Sequence, residues 1–189
     1  MMKRDAAARP VPRALLAAAV GVALGVVATD GAALPAVGRA SADGQVEDVD
    51  GKVLRISSLR GRAVVVVYED KASKGANAAF KADLTRILRE APLQAAVVVA
   101  PVADVSEYNS WPAKGFVKDA IRDESKKTGA TIWCDWDASF RKVLDLSRGQ
   151  SNVVVLGRDG EIRFAAAGTL SASQRAAVEA ILRGESAPR

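Results

Sequence analysis

Residues 64–80 read VVVVYEDKASKGANAAF. With Arg62 and Ala63 in front, the valines and Tyr68 form an unbroken β-branched run, RAVVVVY, over residues 62–68. It lacks the alternation of a strand with one wet face, so it predicts a central strand covered on both sides. The polar residues after it predict a turn. Phe80, Leu84, Ile87 and Leu88 then fall at i, i+4, i+7 and i+8, one stripe of a helix. That helix is expected to start near Lys74 and to be closed by Pro92.

The same grammar continues downstream. LQAAVVVAPV, residues 93–102, predicts a second buried strand. A polar loop carrying Trp111 and Pro112 leads to a second helix, with the stripe Phe116, Val117, Ala120 and Ile121 and a stop at Gly129. TIWCDW, residues 131–136, predicts a third strand, and Phe140, Val143 and Leu144 a short helix. Residues 152–168 read as a hairpin turning at Asp159-Gly160. Ser171 and Gln174 form a capping box that opens a last helix, striped by Ala177, Val178, Ile181 and Leu182. Upstream, Asp50-Gly51 marks a first hairpin. Strands alternating with helices predict a parallel sheet covered on both faces. The closing hairpin makes it mixed. The fold class is therefore α/β, a three-layer α/β/α sandwich whose mixed sheet has an N-terminal hairpin and one extra βα unit.

The N-terminus has a different texture. MMKRDAAARPVPR is basic, and residues 14–28 are an apolar run. Small residues follow, with Gly31-Ala32-Ala33 a tolerable cleavage site and Ala40-Ser41-Ala42 a better-looking one placed far downstream. This is the order of a secretory signal. The run is short for a membrane span, which needs about 20 residues, so a cleaved signal is expected and an uncleaved membrane anchor is the alternative. No cysteine lies near the end of the run, which excludes a lipid anchor of the bacterial lipoprotein kind. The expected organisation is a signal or anchor over 1–33, a linker over 34–43 and a folded domain over 44–185, located in the periplasm or outside the cell.

Apolar residues make up 49% of the 189-residue chain, too much for a disordered protein. The net charge of +5 falls to +2 without residues 1–42, which hold five Lys/Arg and two Asp. No basic stripe interleaved with aromatics exists, so no nucleic-acid partner is expected.

Three strings carry a family resemblance: DGKVLRISSLRGRAVVVVY at residues 50–68, CDWDASFRKVLDL at 134–146 and NVVVLGRDGEIRFAAAGTLSASQ at 152–174. They resemble the thioredoxin-like superfamily, in its extracytoplasmic thiol–disulfide oxidoreductase and peroxiredoxin-like branches. In those proteins a Cys-x-x-Cys pair follows the central strand and opens the helix, whose N-terminus favours the thiolate. Counted from the strand, the resemblance puts these positions at Ser73 and Ala76. In the peroxiredoxin register, the motif's Pro, Thr and Cys fall on Glu69, Ser73 and Ala76. The cis-proline that abuts the active site falls on Ser151. The resemblance thus implies a redox site that has been dismantled.

The residues themselves give a consistent reading. Ser73 as a nucleophile needs a base, and the chain has no His; Lys71 or Lys74 could serve, but a helix-capping role for Ser73 is the simpler expectation. Glu69 and Asp70, adjacent on a strand, point to opposite faces and read as a solvated strand end. Cys134 is the chain's one cysteine, so no intramolecular disulfide can form. Set beside Trp133 and near Trp136, it reads as a buried, inert thiol. Asp104, Asp135 and Asp137 lack the spacing of a calcium loop, so no metal is assigned, and no cofactor is assigned. The expected function is a non-catalytic binding or accessory module for a protein partner. Its surface is either the rim around Lys71, Ser73, Lys74 and Ser151, or the polar loop of Trp111. The alternative is a thiol-dependent antioxidant oxidoreductase of thioredoxin or peroxiredoxin type, acting through Cys134.

Overall fold

The structure is a computed structural model and describes residues 34–187. Strands β1 (Gln45–Glu47) and β2 (Val53–Arg55) form the first hairpin, and a 3-10 turn (Ile56–Leu59) leads to β3 (Ala63–Glu69). Helices α1 (Ala78–Ile87) and α2 (Ala91–Ala96) precede β4 (Val97–Asp104). A 3-10 turn (Ser106–Tyr108) and α3 (Ala113–Thr128) lead to β5 (Trp133–Asp135) and the short α4 (Ser139–Val143). Strands β6 (Asn152–Leu156) and β7 (Ile162–Ala167) and helix α5 (Ala172–Ser186) complete the order.

One seven-stranded sheet runs β2-β1-β5-β4-β3-β6-β7. Strands β3, β4 and β5 are parallel; β6 pairs antiparallel with β3, β7 with β6, and β1 with β5. This is the mixed α/β sandwich expected. The unbroken valine run is the central strand because it is buried on both sides. Val65 and Val67 pack with Phe80, Leu84 and Ile87 of α1, Leu93 of α2, and Val178 and Leu182 of α5. Val64, Val66 and Tyr68 pack with Phe140, Leu144 and Leu146 around α4.

Several boundaries differ from expectation. Helix α1 begins at Ala78, not near Lys74. Pro92 does not close α1, which ends at Ile87, but sits in the first turn of α2, where its missing N–H costs nothing. That moves the start of β4 from Leu93 to Val97. The third strand shrinks to residues 133–135. In α3 only half of the predicted stripe faces inward: Val117 and Ile121 rest on Cys134 and Trp136, while Phe116 is 73% exposed. One residue is a rotation of about 100° on a helix, so with Val117 and Ile121 turned toward the sheet Phe116 falls at the outer edge of the stripe. The expected linker is also partly structured, because Ala40 bridges Glu161. Residues 1–33, where the signal or anchor is expected, lie outside the described residues. Among the described residues no helix is long and apolar enough to cross a membrane.

Candidate functional site

The carboxyl ends of the parallel strands define one rim of the sheet. Glu69 ends β3, Asp104 ends β4, and Asp104 is in register with Asp135 at the end of β5. Because β6 runs antiparallel, its first residue Asn152 lies opposite Tyr68, so Ser151 comes to the same rim beside Glu69.

At this rim the structure places a closed polar network. Ser151, fully buried, donates its hydroxyl to Glu69 Oε1 at 2.8 Å and accepts from Asn77 Nδ2 at 2.8 Å. The other oxygen of Glu69 is paired with the Lys81 ammonium, which also donates to the Lys74 carbonyl at 2.9 Å. Asn77 is 2% exposed. Its second amide donation goes to the Gly168 carbonyl at 2.9 Å, and its Oδ1 accepts the Leu170 N–H at 2.9 Å. Asn77 stands at the N-cap of α1, yet its side chain makes no capping bond; it ties the helix start to the β6 and β7 loops instead.

This changes the reading of the rim. The residue at the helix opening that touches Ser151 is Asn77, not Ser73 or Ala76. Ser73 does not cap α1, because the helix starts five residues later. It closes a turn on Asp70: Asp70 Oδ1 accepts both the Ser73 N–H (2.8 Å) and its hydroxyl (2.7 Å), and Ser73 Oγ accepts the Asp70 N–H (3.0 Å). The Ser73 proton is thus committed to a carboxylate. Ala76 donates its N–H to the Ser73 carbonyl at 2.9 Å. Glu69 is not a solvated strand end, since the network holds it. Asn77 and Lys81 were not singled out from the sequence, although an Asn directly before an apolar helical stripe is a capping signal.

The two candidate binding surfaces lie on the loops that follow β3 and β4. Lys71 and Lys74 are exposed on the loop after β3, and Lys74 pairs with Glu124 of α3 at 3.4 Å. The loop after β4 carries Trp111, 92% exposed. That loop is held from within: Asp104 Oδ1 accepts the Ser106 hydroxyl at 2.7 Å, and Lys114 donates to Asn109 Oδ1 at 2.8 Å. Arg148, in the loop before Ser151, donates to Glu107 at 2.7 Å and joins the two loops.

Cys134 lies apart from the network, 1% exposed. Burial, helped by the nearby Glu47 and Asp48 carboxylates, pushes its thiol up to about 12, so almost no thiolate exists at neutral pH. Asp135 is also spoken for. It accepts from the Tyr68 hydroxyl (3.0 Å) and the Arg141 N–H (3.0 Å), while Asp104 faces Arg141 Nε at 3.5 Å. Burial raises the Asp135 carboxyl above its ordinary range. These carboxylates join β3, β5 and α4, a structural task.

A family of bacterial proteins of unknown function, YtfJ_HI0045, matches residues 41–185. The chain belongs to this family. The match spans the whole sheet and every rim loop described above. No curated protein matches the chain. Among solved structures, the fold is similar to a putative thiol:disulfide interchange protein DsbE from Chlorobium tepidum. Identity is 14% and the TM-score 0.60, over 81% of this chain and 99% of that one. A bacterioferritin comigratory protein from Xanthomonas campestris, described for alkyl peroxide reduction, matches at 16% identity and a TM-score of 0.57, over 82% and 99%. The exposed lipoprotein thioredoxin Etrx1 of Streptococcus pneumoniae matches at 17% and 0.54, over 76% and 99%. At these identities the likeness establishes a thioredoxin-like fold, here without the active-site cysteines.

Proposed function

We propose that this member of the family is an exported accessory module without thiol chemistry, which binds a protein partner at the rim. The observation that carries the reading is Asn77. At the helix opening beside residue 151, where a redox protein of this fold needs a nucleophile, stands an amide whose donors are both used within the protein. Ser73 and Ser151 donate to carboxylates, and Cys134 is buried and protonated. A thiol enzyme acting through Cys134 finds no support in that burial. The rim instead offers Trp111 on a pre-formed loop after β4, and the exposed Lys71 and Lys74 on the loop after β3. An exposed, pre-positioned tryptophan is the kind of group that anchors protein interfaces. Export rests on the basic segment and apolar run before residue 29.

Two measurements test the reading. Insulin reduction driven by dithiothreitol and peroxide consumption should match a Cys134→Ser control; turnover that depends on Cys134 overturns the redox-silent assignment. A photo-crosslinking residue placed at Lys71 or Trp111 in the native host should trap a protein, whereas one at the exposed Val53, on the edge strand β2, should not. Equal trapping at all three positions discards the rim.

A further inference from the structure

Strands β1 and β5 share a single residue pair, Glu47 with Cys134. Glu47 is also paired with Val53 of β2. Cross-strand partners share a face, so Val53, Glu47 and Cys134 look to the same side of the sheet. Helix α3 lies on that side, with Val117 and Ile121 packed against Cys134 and Trp136. It leaves part of the face uncovered. A cleft of about 210 Å³ remains, walled by Gln45, Glu47, Val53, Asn109, Trp136 and Asp137. Drug-sized sites run to about 300–1,000 Å³, so this one fits a smaller molecule.

The wall carries both signs of charge, and neither is fully spent. The Glu47 carboxylate makes no hydrogen bond or ion pair among the described residues. Asp137 accepts the Ser139 N–H at 3.0 Å. The Ser139 hydroxyl and N–H hold its carboxyl below the ordinary range, so it stays ionised. Asp135 also borders the cleft, but its oxygens are taken by Tyr68 and by the Arg141 N–H. The opposite charge comes from α3. Lys114 Nζ donates to Asn109 Oδ1 at 2.8 Å and lies 4.5 Å from the centroid of the Trp136 ring. Asn109 and Trp136 both line the cleft, and an ammonium has three donors, so Lys114 keeps capacity at this wall. Lys118 stands 6.0 Å from the same ring. The Cys134 thiol registers both signs: beyond its burial, Glu47 and Asp48 push it up, while Lys118 and Lys114 push it down. Trp136 itself has an unmet need, since its buried Nε1 has no hydrogen-bond partner among the described residues, a rare condition in a native fold.

We propose that the cleft binds a small zwitterion of the free amino-acid kind, its ammonium on Glu47 and its carboxylate on Lys114. Among the described residues no group of Cys, Asp and Glu side chains is placed to hold a metal ion, so the cationic group is an organic one. An anion alone would face the carboxylates of Glu47 and Asp137, and a cation alone would face the ammonium groups of Lys114 and Lys118. A molecule with both charges meets an opposite partner at each end. Its carbon frame rests on Val53 and the Trp136 indole, the apolar part of the wall. This role is additional to the rim and does not rest on the reading of it.

The test is a titration of the purified protein with each of the standard L-amino acids in turn, up to millimolar concentration. It is read by the NMR signal of the Trp136 indole N–H, assigned by its loss in Trp136→Phe. At least one amino acid is expected to shift that signal saturably; no shift from any of them overturns the proposal. For the one that binds, the amide lacks the carboxylate and the N-acetyl form lacks the ammonium. Each should bind about tenfold more weakly or worse, and undiminished binding of either form removes the zwitterion. Glu47→Gln and Lys114→Met should each weaken binding by about tenfold or more. Either variant suffices if the other fails to fold. Undiminished affinity in a folded variant overturns the assignment to this cleft.

Discussion

Asn77 and Ser151 together connect three parts of the chain that are far apart in sequence, and each depends on the other for a buried hydrogen bond. Truncating Asn77 to Ala strands the Leu170 N–H, the Gly168 carbonyl and a lone pair of Ser151. A buried polar group left without a partner costs about 1–3 kcal/mol, so Asn77→Ala should lose about 2–4 kcal/mol in urea unfolding. Ser151→Ala removes one link and should cost about 1–2 kcal/mol. Because the two share a partner, the double variant should lose less than the two single losses added together. Strict additivity would show that they act separately. This also explains why the sequence pointed to Ser73, and not Asn77, as the residue at the helix opening. Ser73 and Asn77 are both good capping residues within four positions. The choice between them is made by Ser151, Gly168 and Leu170, which no local pattern connects to the turn.

At the scale of elements, what is local was legible and what is tertiary was not. The capping box of α5 forms as read: Ser171 Oγ accepts the Gln174 N–H at 3.2 Å, and Gln174 Oε1 accepts the Ser171 N–H at 2.8 Å. The hairpin at Asp159-Gly160 and the left-handed stop at Gly129 also stand where the residues put them. Pro92 and Phe116 were misread because each fits two local patterns. A proline can end one helix or begin the next, and a four-residue apolar cluster leaves the inward pair of a helix open until the sheet beneath it is known. Two substitutions separate these cases. Ser171→Ala should cost about 1 kcal/mol, since Leu182 and Val178 of α5 sit in the core and transmit the loss of the cap. Phe116→Ser should fall within about 0.5 kcal/mol of the parent, because the ring is largely in water. A large loss from Phe116→Ser, measured by thermal melting of the monomer, would falsify its placement on the outer face.

Across the whole molecule, carboxylates of two kinds set the response to acid. The Ser57 N–H and hydroxyl hold Asp43 below its ordinary range, the Ser139 hydroxyl and N–H do so for Asp137, and the Glu161 N–H for Asp159. Arg183 lowers Glu90 and Glu179. A group whose folded pKa is depressed contributes stability above its unfolded value, near 4, and loses it as the pH falls further. All five are solvent-facing, so each contribution is small. Asp135 behaves in the opposite sense. Burial raises its pKa, so its contribution is present at low pH and is lost as the pH rises through the raised value. Stability should therefore hold or rise slightly from pH 7 toward about 5, then fall below about 4 as the depressed groups take up protons. Asp135→Asn, which keeps an acceptor for Tyr68 without the titration, should lack the first part of that curve. The melting temperature of the parent minus that of the variant should grow as the pH drops from 7 toward 4. A difference that stays flat or shrinks over that range would show that Asp135 is as well solvated as the surface carboxylates, and that the junction of β3, β5 and α4 is open to water.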